Sequence, residues 1–304
     1  MESLRENLAR RLSGEVRADE PLKRHTSYRI GGPADLLVLP ASVEDVVWTL
    51  RLTHEAGVPV FVMGSGSNIL VSDAGVRGVV IRMGQSMGRV RFEEFLVWAE
   101  AGVSLPKLAK LAADRGLAGL EWAGGVPGSV GGAVAMNAGA HGGDTSESLR
   151  VAYLVARDGT LVERTCDDLR FAYRKSGLIR EEHYIVVAAE FCLKRDSRDE
   201  IKARMKQFAA RRRRTQPLGM PSSGSVFKNP PGDHAGRLIE AASLKGTQIG
   251  GAQVSTVHGN FIVNAGDASA DDVRRLIELV RRRVKEEFGV TLQLEVELVG
   301  WDHS

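Results

Sequence analysis

Apolar positions in this chain fall into short alternating runs more often than into helical stripes. Asp35–Leu39, Pro59–Met63 and Val79–Met83 read as strands. Between the first two lies a helix begun at Ser42, with Val43, Val46, Val47 and Leu50 on its apolar face and Gly57 at its end. Ser42 and Asp45 suggest a capping box, with Asp in place of the usual Glu. The segment is a βαβ-like opening. The residues before about Ser27 are polar and are expected to wrap the surface.

From about Arg89 the pattern changes. Phe95–Ala101 predicts a strand, and Ser104 caps a short helix ending at Gly116 with Pro106 in its first turn. Val151–Val155 and Leu161–Val162 flank Asp158-Gly159, a hairpin signal, and Ile185–Leu193 predicts a long strand. Ser197 and Glu200 suggest a capping box for a helix through Ile201, Met205 and Phe208 that ends in Arg211–Arg214. Thr215–Pro231 is loop-rich, and short strands are expected near Gln253–Ser255 and Asn260–Val263. Ser269 starts an amphipathic helix with Val273, Leu276, Ile277, Val280, Val284 and Phe288 on one face. Thr291–Val299 alternates strictly and predicts a closing strand with Leu292, Leu294, Val296 and Leu298 on one side. Strands outnumber helices and are not paired with them one to one, which predicts an α+β fold rather than a doubly wound sheet. Boundaries are expected near Met83–Arg89 and Lys194–Arg198.

One stretch breaks every periodicity. Gly124–Gly143 (GGVPGSVGGAVAMNAGAHGG) holds eight glycines in twenty residues. Each interior glycine costs an ordinary helix or strand about 0.5–1 kcal/mol relative to alanine, so neither is expected. Glycine lets backbone N–H groups approach a bulky anion, and the run predicts a main-chain surface laid against a diphosphate. A second loop, Gly64-Ser65-Gly66-Ser67-Asn68, follows an apolar strand. It is no dinucleotide fingerprint of the usual kind, since Ile69 stands at the third glycine position, and neither loop contains Gly-Lys-Ser/Thr. Two separate glycine loops fit a long ligand with a central diphosphate, an adenine dinucleotide among the candidates. Ser65, Ser67, Asn68, Ser129 and Asn137 can add side-chain hydrogen bonds.

Composition narrows the classes. With 43% apolar and 26% charged residues the chain reads as an ordinary globular protein, and 304 residues predict two or three subdomains. A net charge of +3 is small for that length, and no strongly basic region interleaved with aromatics argues for nucleic acid. No apolar run approaches a membrane span, and the charged first thirty residues hold no signal peptide. Two cysteines, Cys166 and Cys192, are read as reduced core thiols of a cytoplasmic protein, and no zinc-ligand spacing exists.

The motifs taken together carry a resemblance. Val62–Leu70 (VMGSGSNIL), Glu121–His141, Tyr173-Arg174-Lys175-Ser176, Gly224-Ser225-Val226-Phe227-Lys228-Asn229-Pro230 and Leu294-Glu295-Val296 resemble, in order and over nearly the whole chain, the UDP-N-acetylenolpyruvoylglucosamine reductases, also called UDP-N-acetylmuramate dehydrogenases. The short spacing after Arg174 resembles the compact form of that family, without an inserted substrate-covering loop. The resemblance implies an FAD-binding domain of the p-cresol methylhydroxylase and vanillyl-alcohol oxidase type in two α+β subdomains. These would be residues 1–84, joined by the closing strand 290–304, and residues 85–196, with a C-terminal substrate domain at 197–289. It implies bound FAD, NADPH as co-substrate, a UDP-sugar substrate, a cytoplasmic location and a role in peptidoglycan precursor synthesis, with neither metal, nucleic acid nor membrane insertion and a monomer favoured. FAD contacts are expected from Gly64, Ser65, Gly66, Ser67, Asn68, Gly125, Val126, Pro127, Gly128, Ser129, Gly132, Asn137, Gly139 and Ala140.

The reaction so implied is reduction of an enolpyruvyl ether to a lactyl ether, hydride coming from flavin N5 and a proton from the protein. Arg174 suits stabilisation of the enolate, because a guanidinium grips a carboxylate through two hydrogen bonds. Without the resemblance it would be a surface cation beside Lys175. Ser225 suits proton donation, although a serine needs neighbours to act as an acid, and Lys228 and Arg174 are candidates. Glu295, on the polar side of the closing run, would orient the substrate or assist protonation, with Glu297 an ordinary solvated neighbour. Tyr173, Lys228 and Asn229 are candidate substrate contacts. His258 and Asn260 receive no chemical role, and His141 is expected to be structural. The competing readings are an oxidase of the same fold with another substrate, and a basic nucleic-acid binder working through Arg211–Arg214.

Overall fold

Ser42 opens the helix Val43–Glu55 as its position predicts, its hydroxyl accepting the Asp45 N–H at 3.2 Å. The reciprocal arm of the expected capping box is missing. The buried Asp45 carboxylate instead accepts the N–H groups of Ser13, Gly14 and Ala41 at 2.8–2.9 Å, fastening the entry of the chain to this helix. That entry is not the polar wrapping expected before Ser27. Glu2–Arg11 is a helix whose Leu4 and Leu8, with Leu12 after it, are buried against the same core. Three leucines at a spacing of four suffice for one buried stripe in a segment whose other residues, Ala9 apart, are polar.

The computed structural model describes residues 1–301. The chain forms two compact units. One comprises Met1–Asp19, Asp35–Ser65 and Gly78–Arg211, and the other comprises Glu20–Ala34, Gly66–Arg77 and the residues from Arg212 onward. Both mix helices with strands, in agreement with the α+β class.

The first unit holds two sheets. A four-stranded sheet has the spatial order Glu15–Pro21, Pro33–Leu39, Val76–Arg82, Val60–Met63, the last two strands parallel. Leu36, Val38, Val79 and Ile81 form its core with Val46 and Leu50 of the helix. The other sheet is antiparallel throughout, in the order Leu161–Thr165, Leu149–Val155, Ile185–Cys192, Leu96–Glu100, Val90–Glu93. Its first two strands join at the Asp158-Gly159 turn, where Asp158 Oδ1 accepts the Thr160 N–H at 2.8 Å. Cys192 ends its central strand exposed, and Cys166 is half-buried and lies outside any strand. Both are free thiols, as expected, but neither is a core residue.

The glycine run corrects a second expectation. It contains a seven-residue helix, Val130–Met136, between a 3₁₀ turn at Glu121–Gly125 and a small hairpin pairing Gly139–Ala140 with Gly143–Asp144. Packing overrides the propensity: Val130, Ala133 and Val134 are buried in the main core, and Ser129 caps the helix by accepting the Gly132 N–H at 3.4 Å. Gly131 is required by proximity, since a Cβ there would meet the Ala101 Cβ at 2.8 Å.

The second unit is built on the helix Ala270–Phe288. Its Val273, Leu276, Ile277, Val280 and Val284 are buried as predicted, each worth about 1.5–3 kcal/mol of gross transfer free energy. A full capping box joins Ser269 and Asp272, at 3.0 and 3.1 Å. A three-stranded antiparallel sheet, Gln248–Ile249, Ala252–Val254 and Ile262–Asn264, packs with it. The closing run is strand only over Glu297–Val299, paired in parallel with Ile69–Val71. Residues 291–296 keep part of the predicted alternation, Leu292 and Val296 being buried, but their main chain bonds to an irregular loop instead of a strand.

Candidate active site

The loop after strand Val60–Met63 has the chemistry of an anion cradle. The N–H groups of Gly64, Ser65 and Gly66 donate to no acceptor among the described residues. Consecutive unspent donors of this kind are rare, and they form a concavity suited to phosphate oxygens. A Cβ on Gly64 would clash with the Ser129 Oγ, so the two glycine segments touch there. Beyond Gly66 the loop turns structural. The Asn68 side chain donates to the Glu295 carbonyl at 3.0 Å, and the Asn68 carbonyl accepts the Glu297 N–H at 3.0 Å.

The glycine run offers Gly125 and Pro127 as exposed positions, with Val126, Gly128, Gly132, Gly139 and Ala140 half-buried. Ser129 and Asn137 are buried. Asn137 ends the helix Val130–Met136 in the left-handed conformation, its Oδ1 accepting the Ser146 N–H at 3.1 Å and its Nδ2 facing Asp144 and the Ala172 carbonyl at 3.3 Å. The helix Arg198–Thr215 braces both ends of the run. Arg204 binds Glu121 at 2.7 Å and Asp196 at 2.5 Å, the Met205 methyl lies against Gly124, and Phe208 stacks on His141 at 4.5 Å with the rings 1° from parallel. Hydrogen bonds donated by Arg204 to both carboxylates, Glu121 first, raise its pKa. No feature of sequence spacing pairs Phe208 with His141.

Arg174 occupies the tip of a tight hairpin between Phe171–Ala172 and Lys175–Ser176. Its φ of 56° is left-handed, a conformation that costs a side-chain-bearing residue roughly 1–2 kcal/mol and that clusters at functional sites. The guanidinium donates through Nη2 to the Gly139 carbonyl at 2.7 Å and lies 5.0 Å from the ring centre of Tyr173, itself 54% exposed. Arg174 is thereby joined to the glycine run, in the first unit.

Ser225 and Glu295 belong to the second unit, on two segments laced together. The Val226 carbonyl accepts the N–H groups of Glu295 at 2.9 Å and Val296 at 3.3 Å, and the Lys228 N–H donates to the Gln293 carbonyl at 2.8 Å. Asn260, buried to 4% exposure, holds the other edge of the loop. Its Oδ1 accepts the Phe227 N–H at 2.9 Å, its Nδ2 donates to the Phe227 carbonyl at 2.7 Å, and its own carbonyl accepts the Val226 N–H at 2.9 Å. The Asn260 N–H donates in turn to His258 Nδ1 at 3.1 Å. Burial, with Lys245 nearby, pushes the His258 pKa below its ordinary value. Ser225 is half-buried between Gly224 and the buried Val226, and its hydroxyl has no partner among the described residues. Lys228 is half-buried. Asn229 is exposed, its Oδ1 accepting the Ala235 N–H at 3.1 Å at the start of a short helix.

The structure thus unites Asn68, Ser225 and Glu295 around Val226, and Arg174 with Gly139, each group within its own unit. The part played by Asn260 escaped the sequence because its partners lie 33 residues away.

A family model described as FAD binding domain matches residues 34–165, which include the Gly64–Gly66 cradle and most of the first unit. The chain is an FAD-dependent oxidoreductase. A second model, UDP-N-acetylenolpyruvoylglucosamine reductase, C-terminal domain, matches residues 216–299, the loop of Ser225 and the segment of Glu295 included. The UDP-N-acetylenolpyruvoylglucosamine reductase of Halalkalibacterium halodurans is 47% identical over 300 residues, covering 99% of each chain. A second such reductase, from Symbiobacterium thermophilum, is 49% identical over 292 residues, covering 96% of this chain and 94% of the relative. Among solved structures, the UDP-N-acetylenolpyruvylglucosamine reductase of Thermus caldophilus superimposes with a TM-score of 0.80 at 38% identity, covering 95% of this chain and all of that one. The chain belongs to the UDP-N-acetylenolpyruvoylglucosamine reductase family.

Proposed function

We propose that this protein uses NADPH to reduce the enolpyruvyl ether of UDP-N-acetylglucosamine enolpyruvate to UDP-N-acetylmuramate, a step in peptidoglycan precursor synthesis. The observation that carries the reading is the lacing of the Ser225 loop to the Glu295 segment through Val226. It fixes an alcohol and a carboxyl group on adjoining backbone, inside the region that matches the reductase C-terminal domain.

FAD, when bound, supplies the hydride. The Gly64–Gly66 amides, with Ser65 and Ser67, would hold its diphosphate, and on this reading Gly125, Val126, Pro127, Gly128, Gly132 and Ala140 would line the rest of the FAD. Arg174 grips the substrate carboxylate through its planar guanidinium, and that attraction strengthens as negative charge moves toward the carboxylate during reduction. Its existing bond to Gly139 restricts where the cation can go. Ser225 Oγ gives its proton to the carbon next to the carboxylate. An alcohol is a weak acid, so the step needs a cation close by once the proton has left, for which Lys228 is placed three residues along the same loop. Glu295 orients the substrate and assists that protonation. Lys228 and Asn229 contact the UDP group, and Tyr173 borders the nucleotide or the substrate carboxylate. The division into residues 1–84 with 290–304, 85–196 and 197–289 belongs to the same reading, and so does a cytoplasmic site of action.

Two half-reactions test it. The purified yellow protein should lose its flavin absorbance on addition of NADPH without air, and recover it on addition of the enolpyruvyl UDP-sugar. Recovery with oxygen but not with the UDP-sugar would make the chain an oxidase of another substrate and end this reading.

A further inference from the structure

The turn at Thr26–Ile30 has no place in the chemistry above, yet it touches both functional loops of the second unit. Ser27 is its contact point. The Ser27 N–H donates to the Gly66 carbonyl at 2.9 Å. The Ser27 Oγ lies 2.7 Å from the Ser222 carbonyl and 3.2 Å from the Gly66 carbonyl. A hydroxyl has a single proton, so the shorter contact takes it. Ser27 thus joins Gly66, 39 residues away in sequence, to Ser222, 195 residues away.

The turn is rigid enough to transmit position. Thr26 Oγ1 donates to the Ile30 carbonyl at 2.8 Å, the Arg29 N–H donates to the Thr26 carbonyl at 3.2 Å, and Arg29 sits at φ 56°. Asn264 Nδ2 donates to the Tyr28 carbonyl at 3.2 Å. The Tyr28 ring is wholly buried, and its hydroxyl sits beside that of Ser223, also buried; neither completes a hydrogen bond of ordinary geometry. Burial drives the Tyr28 pKa up, and the Ser223 hydroxyl partly opposes it. The Thr26–Ile30 turn therefore bears on the Ser222–Ser225 loop at two successive residues.

We propose that Ser27 is a positioning residue that sets the proton-donor loop against the diphosphate loop. Its amide fixes the Gly66–Ser67 peptide plane, and because that peptide is trans, the Ser67 N–H points away from Ser27. Its hydroxyl fixes the Ser222 carbonyl three residues before Ser225. The flanks of Ser225 are then both held, by Ser27 on one side and by Asn260 on the other. The inference rests on the assignment of Ser225 as proton donor.

Ser27→Ala removes the hydroxyl and keeps the amide, so it separates the two functions. The variant should retain FAD and be reduced by NADPH at the parent rate, while reoxidation by the enolpyruvyl UDP-sugar slows roughly 10-fold to 100-fold, the scale of a misplaced catalytic group. Ser27→Thr keeps a hydroxyl and should restore most of that rate. Ser27→Ala combined with Ser225→Ala should be no slower than Ser225→Ala alone, since Ser27 acts only through that residue. In the FAD-bound protein, hydrogen exchange of the Val226 amide, which donates to the Asn260 carbonyl directly after Ser225, should rise in Ser27→Ala, while the Phe227 amide, held by the Asn260 side chain, stays protected. Unchanged reoxidation, unchanged exchange, or an equal fall in both half-reactions with loss of FAD would each overturn the proposal. If Ser225→Ala itself reoxidises at the parent rate, the assignment of Ser225 fails instead, and the exchange measurement still judges the latch.

Discussion

The hairpin bearing Arg174 and the loop bearing Ser225 are built in opposite ways. Arg174 stands at the tip of a two-stranded ribbon, on strained backbone, with its cation bound to one carbonyl of the glycine run and set over a largely exposed tyrosine. Ser225 lies on backbone held from both flanks, by half-buried Ser27 and buried Asn260, with Val226 and Phe227 almost wholly inaccessible. The difference matches the demands of the two roles. A charge acts over several ångströms and can follow its target, whereas a proton passes only across a short, aligned hydrogen bond.

The sharpest way to break this contrast is Asn260→Leu. It leaves the buried N–H and carbonyl of Phe227 without partners, at about 1–3 kcal/mol each, so a loss of roughly 2–6 kcal/mol is expected in urea denaturation. A loss below about 1 kcal/mol would mean that the loop does not depend on that clamp. Next in size is Ser225→Ala. Flavin reduction by NADPH should be preserved, and reoxidation by substrate should slow by roughly 10²-fold or more, about 2.7 kcal/mol in barrier. Glu295→Gln should act in the same direction with FAD retained. Both are read by anaerobic stopped-flow absorbance.

Arg174→Gly probes the other side of the comparison. Relief of the left-handed strain offsets loss of the bond to Gly139, so stability should stay within about 1 kcal/mol of the parent. The KM for the UDP-sugar should nevertheless rise by about tenfold or more, and flavin reoxidation by it should slow as well, because the two charge-assisted hydrogen bonds lost would strengthen as the carboxylate gains charge. A strongly destabilised variant would show that the hairpin is structural.

The smallest effect concerns pH. Because the folded protein favours neutral His258, the unfolded chain takes up a proton first as pH falls. The stability contributed is complete above the ordinary histidine pKa of about 6.5 and is lost as pH drops through that value toward the depressed folded one. Urea midpoints at two pH values on either side should therefore differ less in His258→Gln than in the parent. An equal difference in both proteins would assign the pH dependence to other groups.

These contrasts also separate what the sequence reveals from what it conceals. The helix Ala270–Phe288 is legible residue by residue, because its apolar stripe and its Ser269 cap are local signals. The helix Val130–Met136 is not, since its stability comes from burial of Val130, Ala133 and Val134, and local composition argues against it. The alternation in residues 291–299 identifies Leu292 and Val296 as buried, leaves Leu294 and Leu298 only half-buried, and misnames most of the element, because the Glu295 and Val296 amides bond to Val226 rather than to a neighbouring strand. Motifs brought Ser225, Glu295 and the Gly64 loop to notice, whereas Asn260 and Ser27 act on partners fixed only by tertiary structure.

The parallel pairing of Glu297–Val299 with Ile69–Val71 bears on how the enzyme is made. On a ribosome, the Gly66–Asn68 turn emerges more than two hundred residues before the strand that secures it. A polypeptide cut before Glu295 has neither that strand nor the two bonds that Glu295 and Glu297 make to Asn68, so its Gly66–Asn68 turn is left unfastened on that side.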